Sequence, residues 1–188
     1  MRRGVNFWMV WLIFLGSITF SFVSSVECEA GGQDQPQVGV FTTVFVLRHA
    51  DRDKEGNLTE KGKSRAVDLV HTVGSAGIKG IYTTDVGRTK ATVHSLAFCL
   101  GIKPEIYGNN FKELADSIMT KHRGETVLIV GHDTTVGPII ETLIGHKAER
   151  NIGVQFDDLH IVTIDSSKNG SVVSIKYGNQ LQPTKCGR

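Results

Sequence analysis

Two hydrophobic patterns, apolar runs and helical periods, alternate along the chain. Phe41 to Leu47, Phe-Thr-Thr-Val-Phe-Val-Leu, is a run of β-branched and aromatic residues that predicts a buried strand ending where Arg48 begins. Thr59 opens a helical pattern. Glu60 falls in a first turn, and Ala66, Leu69, Val70 and Val73 recur at the i, i+3, i+4, i+7 spacing of one buried helical face, which Gly74 and Gly77 stop. A short strand over Ile78 to Thr83 leads to a helix with Val93, Leu96, Ala97 and Leu100 on one side, closing at Gly101. A weak strand near Glu105 to Tyr107 precedes a third amphipathic helix bearing Phe111, Leu114, Ala115, Ile118 and Met119, with Gly124 at its end. Thr126 to Val130 is the clearest strand, and the turn after it enters a helix with Val136, Ile139, Ile140 and Leu143. The last stretch changes character: Leu159 to Ile164 and Val172 to Tyr177 read as strands joined by a polar hairpin turn, Asp165 to Gly170.

Strands alternating with helices predict the α/β class, a three-layer α/β/α sandwich on a mostly parallel mixed sheet whose antiparallel part is the C-terminal hairpin. The folded domain is expected over residues 40–180. Before it stand a targeting segment, residues 1–30, and a polar, turn-rich linker, residues 31–39; a tail follows at 181–188.

Arg2 and Arg3 precede a mostly apolar run over residues 5–23, the order of a signal peptide's charged and hydrophobic regions. Export to a periplasmic or extracellular location is expected. Cleavage after Ser25 and cleavage after Ala30 both fit the small residues there, and the run also suffices to stay as a membrane anchor, the one route to a membrane partner. A net charge of +2, spread without a block of like charge, gives no reason to propose a nucleic-acid partner. Cys28, Cys99 and Cys186 match neither a zinc pattern nor a Cys-x-x-Cys pair. Cys99, in an apolar helical stretch, is expected as a buried thiol, while an oxidising compartment keeps a Cys99–Cys186 disulfide open.

The chemistry-bearing residues gather after strands, where ligands of such sheets bind. Arg48-His49-Ala50-Asp51-Arg52 follows the first strand, Thr83-Thr84-Asp85-Val86-Gly87-Arg88 the second, and Gly131-His132-Asp133 the clearest one, with Leu58-Thr59-Glu60-Lys61-Gly62 opening the first helix. Leu47-Arg48-His49-Ala50 resembles the Arg-His-Gly signature of histidine phosphatases, the phosphoglycerate mutase-like superfamily. Leu58 to Gly62 is similar to the segment that follows it in that family, Tyr82 to Thr92 to its second-arginine turn, and Val130 to Thr134 to its second-histidine motif. The resemblance runs over about residues 42–143 in the family's order. It implies a phosphoglycerate mutase-like fold and a phosphoryl transfer that needs no metal or other cofactor.

Phosphoryl transfer asks the protein mainly to position and neutralise a doubly charged group. A neutral imidazole can attack phosphorus and split one hard displacement into two, and the resemblance makes His49 that nucleophile. Arg48 and Arg88 would clamp the phosphoryl oxygens with planar, permanently charged donors, and His132, protonated or donating at a helix N-terminus, would add a further hydrogen bond. Arg52 matches the second arginine of the acid phosphatase branch, although Ala50 and Lys54 stand where that branch has glycine and proline. In the same branch the aspartate of a His-Asp motif is the proton donor, which makes Asp133 the first candidate acid, with Asp51 and Glu113 in reserve. His71, His94, His122, His146 and His160 read as surface or hydrogen-bonded structural residues. The expected function is hydrolysis of phosphomonoesters or of phosphorylated protein side chains. A phosphate- or phosphoprotein-binding protein without turnover and a mutase-type phosphotransferase are the alternatives; the short gap from Gly101 to Thr126 leaves little room for a mutase's lid.

Overall fold

The computed structural model describes residues 39–148, 152 and 154–178. The targeting segment, nearly all of the linker, the tail, Cys28 and Cys186 lie outside them. The elements run β1 (Thr42–Arg48), α1 (Glu60–Val73), β2 (Ile78–Thr83), α2 (Gly87–Leu100), β3 (Glu105–Ile106), α3 (Phe111–Lys121), β4 (Thr126–Gly131), α4 (Val136–Ile144), β5 (Asp158–Ile164) and β6 (Gly170–Lys176).

β1 is apolar at consecutive positions because it is an inner strand with both faces covered. Val44 and Val46 pack with Leu114 and Ile118 of α3 and with Ile139, Ile140 and Leu143 of α4. Phe45 and Leu47 point the other way, onto Leu69 and Val73 of α1 and Val93 and Leu96 of α2. The result is three layers around one six-stranded sheet of order β3-β2-β4-β1-β5-β6. β1, β2, β3 and β4 are parallel, and the β5–β6 hairpin adds two antiparallel strands beside β1. α1 leaves β1 toward one face while α4 leaves β4 toward the other, which opens a crevice at the C-terminal ends of these two neighbouring strands.

Local chemistry sets the helix ends. Thr59 caps α1, its hydroxyl accepting from the Gly62 amide at 3.1 Å, and Asn110 caps α3 through the Glu113 amide at 3.2 Å. Gly101 ends α2 in the left-handed conformation at φ 66°. Two expectations change. α3 stops at His122, whose amide donates the last helical bond to the Ile118 carbonyl, and Gly124 instead forms the turn into β4, its amide donating to the Thr42 hydroxyl at 2.9 Å. Cys99 is exposed, because α2 turns Val93, Leu96 and Ala97 inward and leaves Phe98 and Cys99 to solvent.

Candidate active site

Sheet register brings the histidines together. Arg48 lies opposite Gly131 across the parallel β1–β4 pair, and the His49 amide continues the ladder by donating to the Gly131 carbonyl at 3.0 Å. The residues that follow, His49 and His132, meet edge to face with ring centroids 5.5 Å apart.

The His49 ring is 1% exposed. Its Nδ1 lies 2.9 Å from the Ala50 carbonyl, which can only accept, so Nδ1 carries the proton and Nε2 keeps its lone pair. Burial pushes the imidazole down to about 4; the Ala50 carbonyl opposes the shift, and Arg88, Arg48 and His132 add to it. At neutral pH His49 is therefore an uncharged base in one tautomer.

Two guanidinium groups stand around it. Arg48 donates through Nη1 to the Val154 carbonyl and through Nη2 to Asp133, both at 3.1 Å, and stacks on the Phe156 ring at 4.2 Å. Phe156 also lies against His49, with ring centroids 5.7 Å apart. Arg88, in the first turn of α2, donates through Nη2 to His132 Nδ1 at 3.2 Å. Both arginines bury an Nε that has no hydrogen-bond partner among the described residues. An unpaired buried donor costs roughly 1–3 kcal/mol, more when charged, so each of these groups calls for an acceptor.

His132 accepts from Arg88 on Nδ1, so its proton sits on Nε2 and goes to the Thr84 hydroxyl at 3.0 Å. Thr84 meets Thr89 at 2.9 Å, and Thr89 donates onward to the Val86 carbonyl at 2.8 Å. Burial, then the Arg88 charge, lowers the His132 ring, with Asp133 opposing. Of the two states the sequence left open, protonated or donating, the hydrogen bonds fit a neutral ring that accepts from Arg88 and donates to Thr84. The helix end also offers less than expected, since the His132 and Thr134 amides are taken by Thr135 Oγ1 and Asp133 Oδ1.

The remaining candidates separate. Asp133 is half exposed at the rim, in an ion pair with Arg48. Asp51 is no acid: Arg65 Nε approaches it at 2.6 Å and Lys61 at 3.3 Å. Burial works to raise its carboxyl, yet the Arg65 bond and charge outweigh that and hold it below the usual carboxylate range. Arg65 also donates to the Tyr177 carbonyl, so this buried pair ties the loop after His49 to the end of β6. Gly62 serves the same loop, because any side chain there would strike the Asp51 carbonyl. Arg52 is exposed, donates to the Asp53 carbonyl, and joins none of the contacts around His49; Glu113 is exposed in the first turn of α3. Phe156 and Val154 carried no sequence signal, since they come from a loop more than a hundred residues beyond Arg48. Among the described residues no group of three or more His, Cys, Asp or Glu gathers to hold a metal. Concavity alone would point elsewhere: open cavities of about 420 and 770 Å³ flank α2, but neither is lined by His49 or His132.

No protein-family model matches the sequence, and no curated protein is similar to it in sequence. Solved structures do match its fold. The protein histidine phosphatase SixA complexed with tungstate superposes with a TM-score of 0.59 at 17% identity, over 71% of this chain and 96% of that one. The chain shares the fold of that histidine phosphatase. Mycobacterial glucosyl-3-phosphoglycerate phosphatase superposes with a TM-score of 0.59 at 12% identity, covering 74% of this chain and all of its own. A phosphoglycerate mutase from Plasmodium falciparum reaches a TM-score of 0.54, also at 12% identity, over 78% and 98%. Histidine phosphatase folds therefore carry hydrolases and mutases alike, and function has to be argued from the site.

Proposed function

We propose that this chain is a phosphatase that works through a phosphohistidine on His49. The carrying observation is a neutral, single-tautomer imidazole whose Nε2 has no hydrogen-bond partner among the described residues, flanked by two half-buried arginines whose buried Nε groups lack acceptors there. A tetrahedral dianion supplies those acceptors, and SixA, of similar fold, is a protein histidine phosphatase complexed with tungstate, itself a tetrahedral oxyanion. Nε2 attacks phosphorus as the ester P–O bond breaks. As the Arg48 guanidinium turns to the phosphoryl group its ion pair with Asp133 loosens, the half-exposed Asp133 takes up a proton from solvent, and the leaving oxygen receives that proton. Water then breaks the P–N bond, Asp133 recovers its proton, and phosphate leaves. The substrate class is a phosphomonoester or a phosphorylated protein side chain. Hydrolysis is favoured over mutase chemistry because β3 and α3 fill the stretch from Gly101 to Thr126, with no inserted lid. The basic start and apolar run over residues 5–23 support export, as a cleaved signal or a retained anchor.

The Arg48–Asp133 pair also favours a second reading, a phosphate-binding protein in which the acid stays locked. Hydrolysis of an aryl phosphate by the full chain, with chelator present, separates the two. The phosphatase reading expects turnover that His49→Ala abolishes and that Asp133→Asn lowers by roughly 10²–10⁴-fold on substrates with a basic leaving group. A folded protein that binds phosphate without turnover on any phosphoester tried leaves the binding reading.

A further inference from the structure

Hydroxyls inside helices usually bond the carbonyl four residues back and face solvent. Thr72, Thr120 and Thr142 do so here, at 2.8, 2.7 and 2.7 Å, on the protein's exterior. Thr92 makes the same bond, to the Arg88 carbonyl at 2.8 Å, but it is fully buried and accepts a second one, from the Ala50 amide at 2.9 Å. A threonine in a helix interior has lower helix propensity than alanine, and its buried hydroxyl is tolerated because both bonds are made.

Those bonds join two parts of the site that are far apart in sequence. The Ala50 amide belongs to the peptide that follows His49, and the Ala50 carbonyl fixes the His49 tautomer. The Arg88 carbonyl belongs to the helical turn that aims the second guanidinium. Ala50 is itself fully buried, so water cannot replace Thr92 at its amide without repacking.

We propose that Thr92 is a positioning residue for phosphoryl transfer: its one hydroxyl sets the His49 ring against the turn that carries Arg88. The role rests on the phosphatase reading, although its structural half stands without it. Thr92→Val keeps the shape, deletes both bonds and leaves the Ala50 amide unpaired, so the Ala50 carbonyl is free to tilt away from Nδ1. Thr92→Ser keeps the hydroxyl and loses a methyl.

The test uses the full chain, with the ring nitrogens of histidine labelled for NMR and aryl phosphate turnover measured in parallel. The wild type shows His49 protonated on Nδ1 alone. In Thr92→Val the two tautomers mix, kcat falls about 10- to 100-fold, and KM changes less than about threefold, the pattern of a misplaced rather than a missing catalytic group. Thr92→Ser restores both readouts. If the valine variant does not fold, Thr92→Cys, a weak donor and acceptor, carries the same expectation. An unmixed Nδ1 tautomer with kcat within about twofold of wild type overturns the proposal, as does a serine variant no better than the valine one. Loss of turnover in the wild type itself, with the tautomer still answering to Thr92, sinks the phosphatase reading and leaves the positioning device.

Discussion

β1 and β4 lie side by side, run in the same direction, and each releases a histidine at its C-terminal end, yet the rings are held in opposite ways. His49 is anchored by one nitrogen, to a neighbouring carbonyl in its own loop, and is almost wholly buried. His132 is half buried and engaged at both nitrogens, accepting from Arg88 and donating to Thr84. Both are depressed below the usual histidine range by burial, so charge does not distinguish them. Attachment does: a nucleophile needs one fixed tautomer and one idle lone pair, and only the β1 turn provides that. The β4 turn supplies orientation instead, holding Arg88 through a ring that the threonine chain keeps in place.

The asymmetry can be broken first at the histidines. His49→Ala should lower turnover on the order of 10⁴-fold or more, whereas His132→Ala should cost roughly 10²-fold; equal losses in aryl phosphate kinetics would remove the distinction. Arg88→Lys comes next. It keeps the charge but loses the planar fork that reaches both His132 and an oxyanion, and a drop of about 10³-fold in kcat/KM is expected.

Asp51 sharpens the contrast from the structural side. Removing one partner of its buried pair with Arg65 should destabilise the fold by about 3 kcal/mol in urea unfolding, since the buried Arg65 charge would lose its carboxylate. Asp51→Asn should nonetheless change kcat less than about tenfold, because the carboxylate takes no part in proton transfer.

The smallest effect is on pH. With His49 lowered from 6.5 to about 4, kcat/KM should persist well below the ordinary histidine range and fall as pH drops through about 4. The same shift acts on stability. Between 6.5 and about 4 the unfolded chain takes up a proton that the folded ring refuses, so the stabilisation present above 6.5 is lost as pH falls through that window. From pH 7 to pH 5 the wild type should therefore lose about 2 kcal/mol more than His49→Ala, measured by urea unfolding at both values.

Much of this could be read from the sequence because the information is periodic. Continuous β-branched apolar runs mark the inner strands and 3.6-residue periods the helices, and Arg48, His49, Arg88 and His132 fall where strands end or the next helix begins, so the fold that aligns β1 with β4 brings them together. What could not be read depends on partners remote in sequence. Asp51 looks like a spare acid until Arg65 folds back on it from α1 and Tyr177 closes the other side. Arg52 fits a motif, but the Arg52–Leu58 bridge belongs to a loop whose side chain faces solvent. Phe156 stands over both Arg48 and His49 only because the chain before β5 returns to the crevice. Cys99 shows the limit of apolar periodicity, which marks a helix but cannot by itself say which residue next to the stripe is covered.

The most direct measurement maps the covalent intermediate. The full chain is mixed with a phosphoester, quenched in alkali to preserve a phosphohistidine, digested and sequenced by mass spectrometry. The account predicts a phosphoryl group on His49 and nowhere else, absent from His49→Ala and retained, at slower turnover, in His132→Ala. A phosphoryl group on another residue, or steady hydrolysis with none trapped on His49, would contradict it.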